Sequence, residues 1–573
     1  MFATARRRAA QVIADPVLRR WLVGRALGRH GEAPRFTAGA PPYLGERPLR
    51  GDVSAAPSVA FPAVCATPPD RPITLPLPGR RMVVAPGEEG GLFDAAFDDT
   101  ETLLAVHRFA WLPLLGNTAD AGWVDALWRE WAARFATTDK GWAWHPYTAA
   151  ERAINILDFA RREGLPGEAE ETLALLVRHG TSILERLEYF GDHNTSNHLS
   201  NNGRGLFLLG LALGIDEFAE TGGHILIAEA ARIFGPSGVL REGSTHYHLL
   251  LTRNYASAWL AARVHGHPET ATLEGITRRA LAAIPHLTLP GGMPLIGDIS
   301  PDCPPGFLAG LLSDGDMESG WCGLLSHGDR EALGALKRDC GTISPDRIKA
   351  DGWVRAAFGP WAALWHAAPG GWSPMPGHGH QDLGGFELHF ETEAVFVDPG
   401  RGAYGEGGEA AAYVAGHAHN TLTIDGLDPY PANRPYYDSA FRRAVGGPPP
   451  RISRSGNGVT LAHDGYRRLD GVGTMTRRLT FDGRTMRIAD RVDGSSRRTI
   501  ARHLHTGHAV HRAPGGAVIE GKNARYRLTT DGEIKLSRGT CWTAYGEGVP
   551  STVIAIGSVE TLPVETGIAV EAL

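Results

Sequence analysis

The chain has 573 residues, 43% hydrophobic and 21% charged, with a formal charge of −6. That length exceeds one ordinary core and predicts two large units, and the acidic balance argues against a dedicated nucleic-acid binder. Five cysteines without a C-x-x-C pair (Cys65, Cys303, Cys322, Cys340 and Cys541) supply neither a disulfide framework nor a thiolate metal site.

In chain order, residues 1–29 are Arg-rich and alternate with apolar positions, without the continuous apolar run of a secretory signal. They predict an amphipathic helix laid on the protein itself, with a membrane surface as the alternative. No stretch approaches the roughly 20 apolar residues of a spanning helix, and the expected compartment is the cytoplasm, with the periplasm or secretion by another route as the alternative. Residues 30–95 are rich in Pro and Gly and read as an irregular arm, so residues 1–97 form an N-terminal helix and arm. From 98 to 365 apolar residues recur at three and four, predicting helices near Ala149–Arg161, Glu171–Phe190, Arg204–Leu213, Gly223–Phe234, Leu249–Arg263 and Leu273–Ile284. From 366 to 573 the period becomes two, as in Gly385–Phe390 and Thr485–Asp490, with Asp-Gly turns at 482–483, 493–494 and 531–532. A helical domain followed by a β-sandwich predicts a ligand cleft between them.

Three polar clusters stand out. Asn197 and His198 precede an apolar helix. An Asn amide suits donation to a carboxylate, and a His suits proton transfer near neutral pH. Asn202 reads as a cap or a substrate contact. The second cluster, Arg241 to His248, holds Tyr247, a candidate proton donor or base that needs nearby positive charge to work as phenolate. The third is Gly377-His378-Gly379-His380-Gln381-Asp382, followed by Asp398 and by His417-Ala418-His419. In an extended segment His378 and His380 point to opposite sides, one to the cleft and one to a metal held with Asp398 and His419. Two His and one Asp suit zinc, with Asp382 and His417 as orienting partners; a polar core without metal is the alternative. Asp298 reads as a turn or cap more readily than a pocket residue. Arg152 and Asn155, beside Trp142, Trp144 and Tyr147, offer a sugar platform, and Arg241, Tyr404, Tyr413 and Arg434 are further candidate substrate contacts.

Together, Asn197-His198-Leu199 with Asn202, Tyr247-His248, Gly377 to Asp382, Val397-Asp398-Pro399-Gly400 and His419-Asn420-Thr421 resemble the heparinase II/III-like polysaccharide lyases, including the related oligo-alginate lyases, over most of residues 100–560. The resemblance implies an incomplete α/α toroid followed by an antiparallel β-sandwich, and β-elimination on an acidic polysaccharide or oligosaccharide containing uronic acid. It implies Asn197 and His378 as neutralisers of the substrate carboxylate and His198 as a base. Tyr247 becomes the acid, or the base for the opposite C5 configuration, and His380, Asp398 and His419 ligands of a structural Zn2+. Gln381 departs from the family pattern. A glycoside hydrolase built on Glu242, Asp298 or Asp382, and a non-catalytic polysaccharide-binding protein, are the competing expectations.

Overall fold

A computed structural model describes residues 12–13, 15–30, 37–45, 61–192, 195–372, 377–405, 407–434 and 436–573. The first part of the expected N-terminal helix, much of the arm, and His193 and Asn194 lie outside them. The helix Pro16–Ala26 is capped by Asp15, whose Oδ1 accepts from Val17 N and Leu18 N. It packs on the C-terminal part of the chain, with Trp21 4.4 Å from the Tyr436 ring. No helix among the described residues is long and apolar enough to cross a membrane.

A small hairpin, β1 (Ile73–Leu77) and β2 (Arg80–Val84), precedes the helices. The main ones are Ala121–Phe135, Pro146–Glu163, Ala169–Leu184, Asn197–Leu213, Asp216–Ile233, Thr245–His265 and Thr270–Leu287. Their periodic apolar faces meet in two cores, one where Trp111, Trp128, Trp131 and Trp144 are fully buried and a second around Tyr255, Trp259 and Leu273 of the last two helices. Two expected starts move upstream. The helix predicted at Arg204 begins at Asn197, capped by Ser196, and the one predicted at Leu249 begins at Thr245, capped by Ser244. Asn197, His198 and Tyr247 therefore stand in first turns, while Asn202 lies inside its helix and caps nothing.

The strands of the C-terminal part begin at Trp353, ahead of the expected change at residue 366. β3 (Trp353–Phe358), β4 (Trp361–His366), β5 (Phe386–Phe390) and β6 (Glu393–Phe396) form one antiparallel sheet in that order. β7 (Leu422–Ile424) is followed by β8 (Arg451–Ser455), β9 (Gly458–His463), β10 (Val472–Asp482) and β11 (Thr485–Gly494). Then come β12 (Arg497–Thr506), β13 (Ala509–Ala513), β14 (Gly516–Glu520) and β15 (Arg525–Thr530), and finally β16 (Glu533–Ala544), β17 (Glu547–Thr561) and β18 (Val564–Ala572). The order β13-β14-β15-β18-β11-β10-β9-β8 makes an eight-stranded sheet, and β16-β17-β12-β7 a second one of four. Their inward side chains share a core with β4, β5 and β6, among them Trp361, Leu388, Phe396, Ile488, Leu504 and Ile556. The fold is thus an incomplete helical toroid followed by an antiparallel β-sandwich.

Candidate active site

The site forms where the β4–β5 connection docks on the helical domain. The segment is gripped by main chain on both edges: His378 N donates to Glu242 O (2.8 Å), and Asp298 N donates to His378 O (2.9 Å). Such an approach leaves no room for side chains. At Gly297 (φ +81°) a Cβ would lie 2.5 Å from Gly243 O and 2.7 Å from His378 O.

Three groups from three segments then meet. Asn197 Nδ2 lies 2.9 Å from Glu242 Oε2 and 3.1 Å from His378 Nε2, and those two are 3.3 Å apart. The Tyr247 ring stacks on His378, centroids 3.4 Å apart, and its hydroxyl is 2.8 Å from that of Tyr404. Burial, reinforced by the Asp302 carboxylate, pushes the Tyr247 phenol well above its ordinary range, so it is held protonated, as a proton donor must be.

His198 approaches from the other side. Its Nδ1 is 2.8 Å from Glu188 Oε1, and its ring is 4.7 Å from Tyr147. Its side chain keeps 42% exposure, which leaves the far nitrogen for the cleft. Burial works against the imidazolium, but the charge and hydrogen bond of Glu188 outweigh it and raise the His198 pKa above 6.5. Glu188 is itself clamped by Asn202, which donates to Oε2 and accepts from Glu188 N, both at 3.0 Å. Although burial opposes it, His198 leads the partners that hold the Glu188 carboxyl down at about 2. Beneath lies a second buried group, Asp302, which accepts from Tyr147 Oη (2.5 Å) and Arg108 (2.7 Å).

His378 and His380 do face different ways, yet both reach Asp298. Its Oδ2 is 3.1 Å from His378 Nδ1, and its Oδ1 is 2.9 Å from His380 Nε2 and 3.1 Å from Arg401. Asp298 is therefore a hub rather than the expected turn or cap. The remaining His380 nitrogen belongs to the expected metal trio: ligand atoms of His380, Asp398 and His419 lie within 4.8 Å of one another. His380 Nδ1 and His419 Nε2 are both buried without a protein partner, and His419 Nδ1 is fixed by Asp398 Oδ2 at 2.8 Å. Two orphaned imidazole nitrogens beside a carboxylate fit a divalent metal. The expected orienting partners do other work: Asp382 lies 3.7 Å from His366, and the carbonyl of His417 faces His505 Nε2.

Several predicted substrate contacts belong to the framework instead. Arg152 is fully buried, bonded to His179 and to the carbonyls of His107 and Ala143. Asn155 donates to Arg108 O, and Asn202 serves Glu188. The Tyr413 hydroxyl accepts from Thr540 N, and Arg434 is half-buried beside Tyr437. Arg241 is exposed and edges a cavity of about 810 Å³ that also touches Gly379, His366 and Asp382. Of the substrate-contact candidates, only Tyr404 directly joins the cluster of Asn197, Tyr247 and His378. Glu188, Asp302 and Arg108 escaped sequence reasoning because only long-range contacts reveal them.

Residues 344–568 match the family model described as heparinase II/III-like, C-terminal. The solved structure of heparinase III superposes with a TM-score of 0.61 at 16% identity, covering 84% of this chain and 78% of that one. A mutant of heparan sulfate lyase HepC from Pedobacter heparinus gives 0.54 at 15% identity, covering 86% and 80%. The HepC protein without that alteration gives 0.52 at 15%, covering 83% and 77%. These likenesses show the fold. No curated protein matches the chain.

Proposed function

We propose that this protein is a polysaccharide or oligosaccharide lyase that cleaves a uronic-acid-containing glycan by β-elimination. The observation that carries the reading is the convergence of Asn197, His378 and the Tyr247–Tyr404 hydroxyl pair at one point, with His198 next to Asn197 in the chain and its ring against Tyr147. The heparinase II/III-like match and the heparan sulfate lyase neighbours support the substrate class.

Abstracting the C5 proton builds negative charge on the uronate carboxylate. The Asn197 amide and the His378 ring stabilise that charge as it develops. His198, in its neutral form, takes the proton, a positioned transfer that contributes roughly 10²–10⁴-fold. Tyr247, held protonated, gives its proton to the departing C4 oxygen, and the product carries a C4–C5 double bond. This assignment favours the acid role for Tyr247 over the base role. A hydrolase would need two carboxylates facing one glycosidic bond, yet Glu242 and Asp298 sit on opposite nitrogens of the same His378 ring. The His380–Asp398–His419 trio would hold a zinc ion, whose contribution is to cross-link the loops bearing these residues. An oligo-alginate is one candidate within the class.

The test is the ultraviolet absorbance of the unsaturated product with a panel of uronate polysaccharides and oligosaccharides. A time-dependent rise that disappears in Tyr247→Phe is expected. New reducing ends without that absorbance would sink the reading.

A further inference from the structure

Arg253 lies on the helix Thr245–His265, about 9 Å along its axis beyond Tyr247. It keeps only 7% exposure. Its Nε is enclosed and unpartnered, and among the described residues no hydrogen bond or ion pair reaches its guanidinium. The other buried arginines among the described residues are all engaged: Arg108 with Asp302 (2.7 Å), Arg204 with Glu151 (2.7 Å), Arg477 with Asp490 (2.7 Å), Arg152 with His179, Arg442 with the Tyr437 carbonyl and Arg502 with the Gly567 carbonyl. An isolated buried charge is costly unless something pairs with it.

The surroundings keep this group charged without satisfying it. Burial opposes the charge, but Glu151, Cys303, Asp302 and Tyr147 raise its pKa. Both carboxylates are committed elsewhere, Glu151 to Arg204 and Asp302 to Arg108 and Tyr147. A second unsatisfied donor stands one heptad earlier on the same helical face. His246 Nδ1 accepts from Ser300 N at 3.0 Å, which puts the ring proton on Nε2. That Nε2 is buried and has no partner. Burial lowers the His246 pKa to about 3 against the pull of Asp302, and the Arg253 charge acts in the same direction as burial, so near neutral pH the ring is a neutral donor.

A fixed cation and a neutral N–H donor, both lacking an acceptor, call for an oxyanion. We propose that Arg253 and His246 form an anion anchor on the helix that carries Tyr247. It takes a second acidic group of the glycan, distinct from the carboxylate that Asn197 and His378 serve. The shared chemistry is an oxyanion with two or three acceptor oxygens, supplied by a neighbouring uronate carboxylate or by a sulfate substituent. The proposal takes its glycan from the lyase reading, but anion binding is measurable without turnover.

The experiment titrates wild type, Arg253→Gln and Arg253→Lys with sodium sulfate, and separately with sodium acetate, at constant ionic strength, following thermal stability. Wild type is expected to saturate, with about tenfold weaker affinity in Arg253→Gln and an intermediate value in Arg253→Lys. The stronger of the two salts identifies the source. With a cleavable oligosaccharide, Arg253→Gln raises KM about tenfold and leaves kcat within a few fold, the signature of lost ground-state binding. Equal salt responses in wild type and Arg253→Gln would overturn the anchor. So would wild-type crystals grown in sulfate that hold only water at the guanidinium, or an adventitious ion only, bound equally in the variant. Arg253-dependent sulfate binding without elimination on any glycan would instead overturn the lyase reading and leave the anchor standing.

Discussion

In the proposed reaction, Glu188 and His198 form the pair on which proton abstraction turns. Because the carboxylate raises the imidazole's pKa, the neutral base predominates only above that raised value, and the rate climbs with pH through it. Glu188→Gln removes the charge and lets the His198 pKa fall. The rising limb of kcat/KM is then expected to move to lower pH, while the plateau drops as the ring loses its orienting acceptor. An unmoved limb, with His198→Ala still inactive, would show that another group sets the profile. At this scale the sequence was legible where chemistry is local: Asn197, His198, Tyr247, His378 and the metal trio sit in short polar clusters that stand out against apolar neighbours. It was silent where chemistry is assembled at a distance. Nothing near Glu188 announces that it will meet a histidine ten residues on, and Arg152 looked like a substrate contact because a buried arginine and an exposed one are the same letter.

Among the elements, the periodicities of three-to-four and of two placed the helices and the sandwich in their order. The boundaries were less legible because capping residues inside polar runs compete with one another. The polar run on either side of Leu199 contains both Ser196, which caps, and Asn202, which does not, and only the backbone distinguishes them. The sandwich also has an internal tie that no pattern signals. Arg477 on β10 is buried against Asp490 on β11 and donates to Gly384 O and Asn420 O, at 2.9 and 2.8 Å. Those carbonyls lie just beyond the loops bearing His380 and His419. Arg477→Met strands the Asp490 carboxylate, and denaturant melts are expected to show a loss of roughly 3–5 kcal/mol. A loss within experimental scatter of zero would mean that the loops hold themselves.

For the molecule as a whole, the two domains are joined by chemistry as well as contact. Asp298, from the helical side, holds both His378 and His380 of the sandwich side, and Tyr545 of the sandwich donates to Asp99 at 3.0 Å. Filling the two orphaned imidazole nitrogens with zinc should therefore stabilise the whole assembly. By mass action, zinc at 1,000 times its Kd adds about 4 kcal/mol, read as a rise in Tm for metal-stripped wild type. His419→Ala should lose that rise, and an identical rise in both proteins would place the metal elsewhere.

The seam at Gly243, Gly297 and Gly379 has a bearing on how such a protein can diversify. The backbone of His378 is placed by peptide groups, and peptide groups are the same whatever residues carry them, while its ring is turned by Asp298. Exchanging side chains around the seam other than those touching the ring leaves that placement almost untouched, whereas adding even a methyl group at Gly297 dislodges it. The backbone under the reaction centre is thus insulated from the substitutions that most readily reshape a binding surface. New sugar preferences can accumulate on the surrounding walls without retuning the proton-transfer machinery each time.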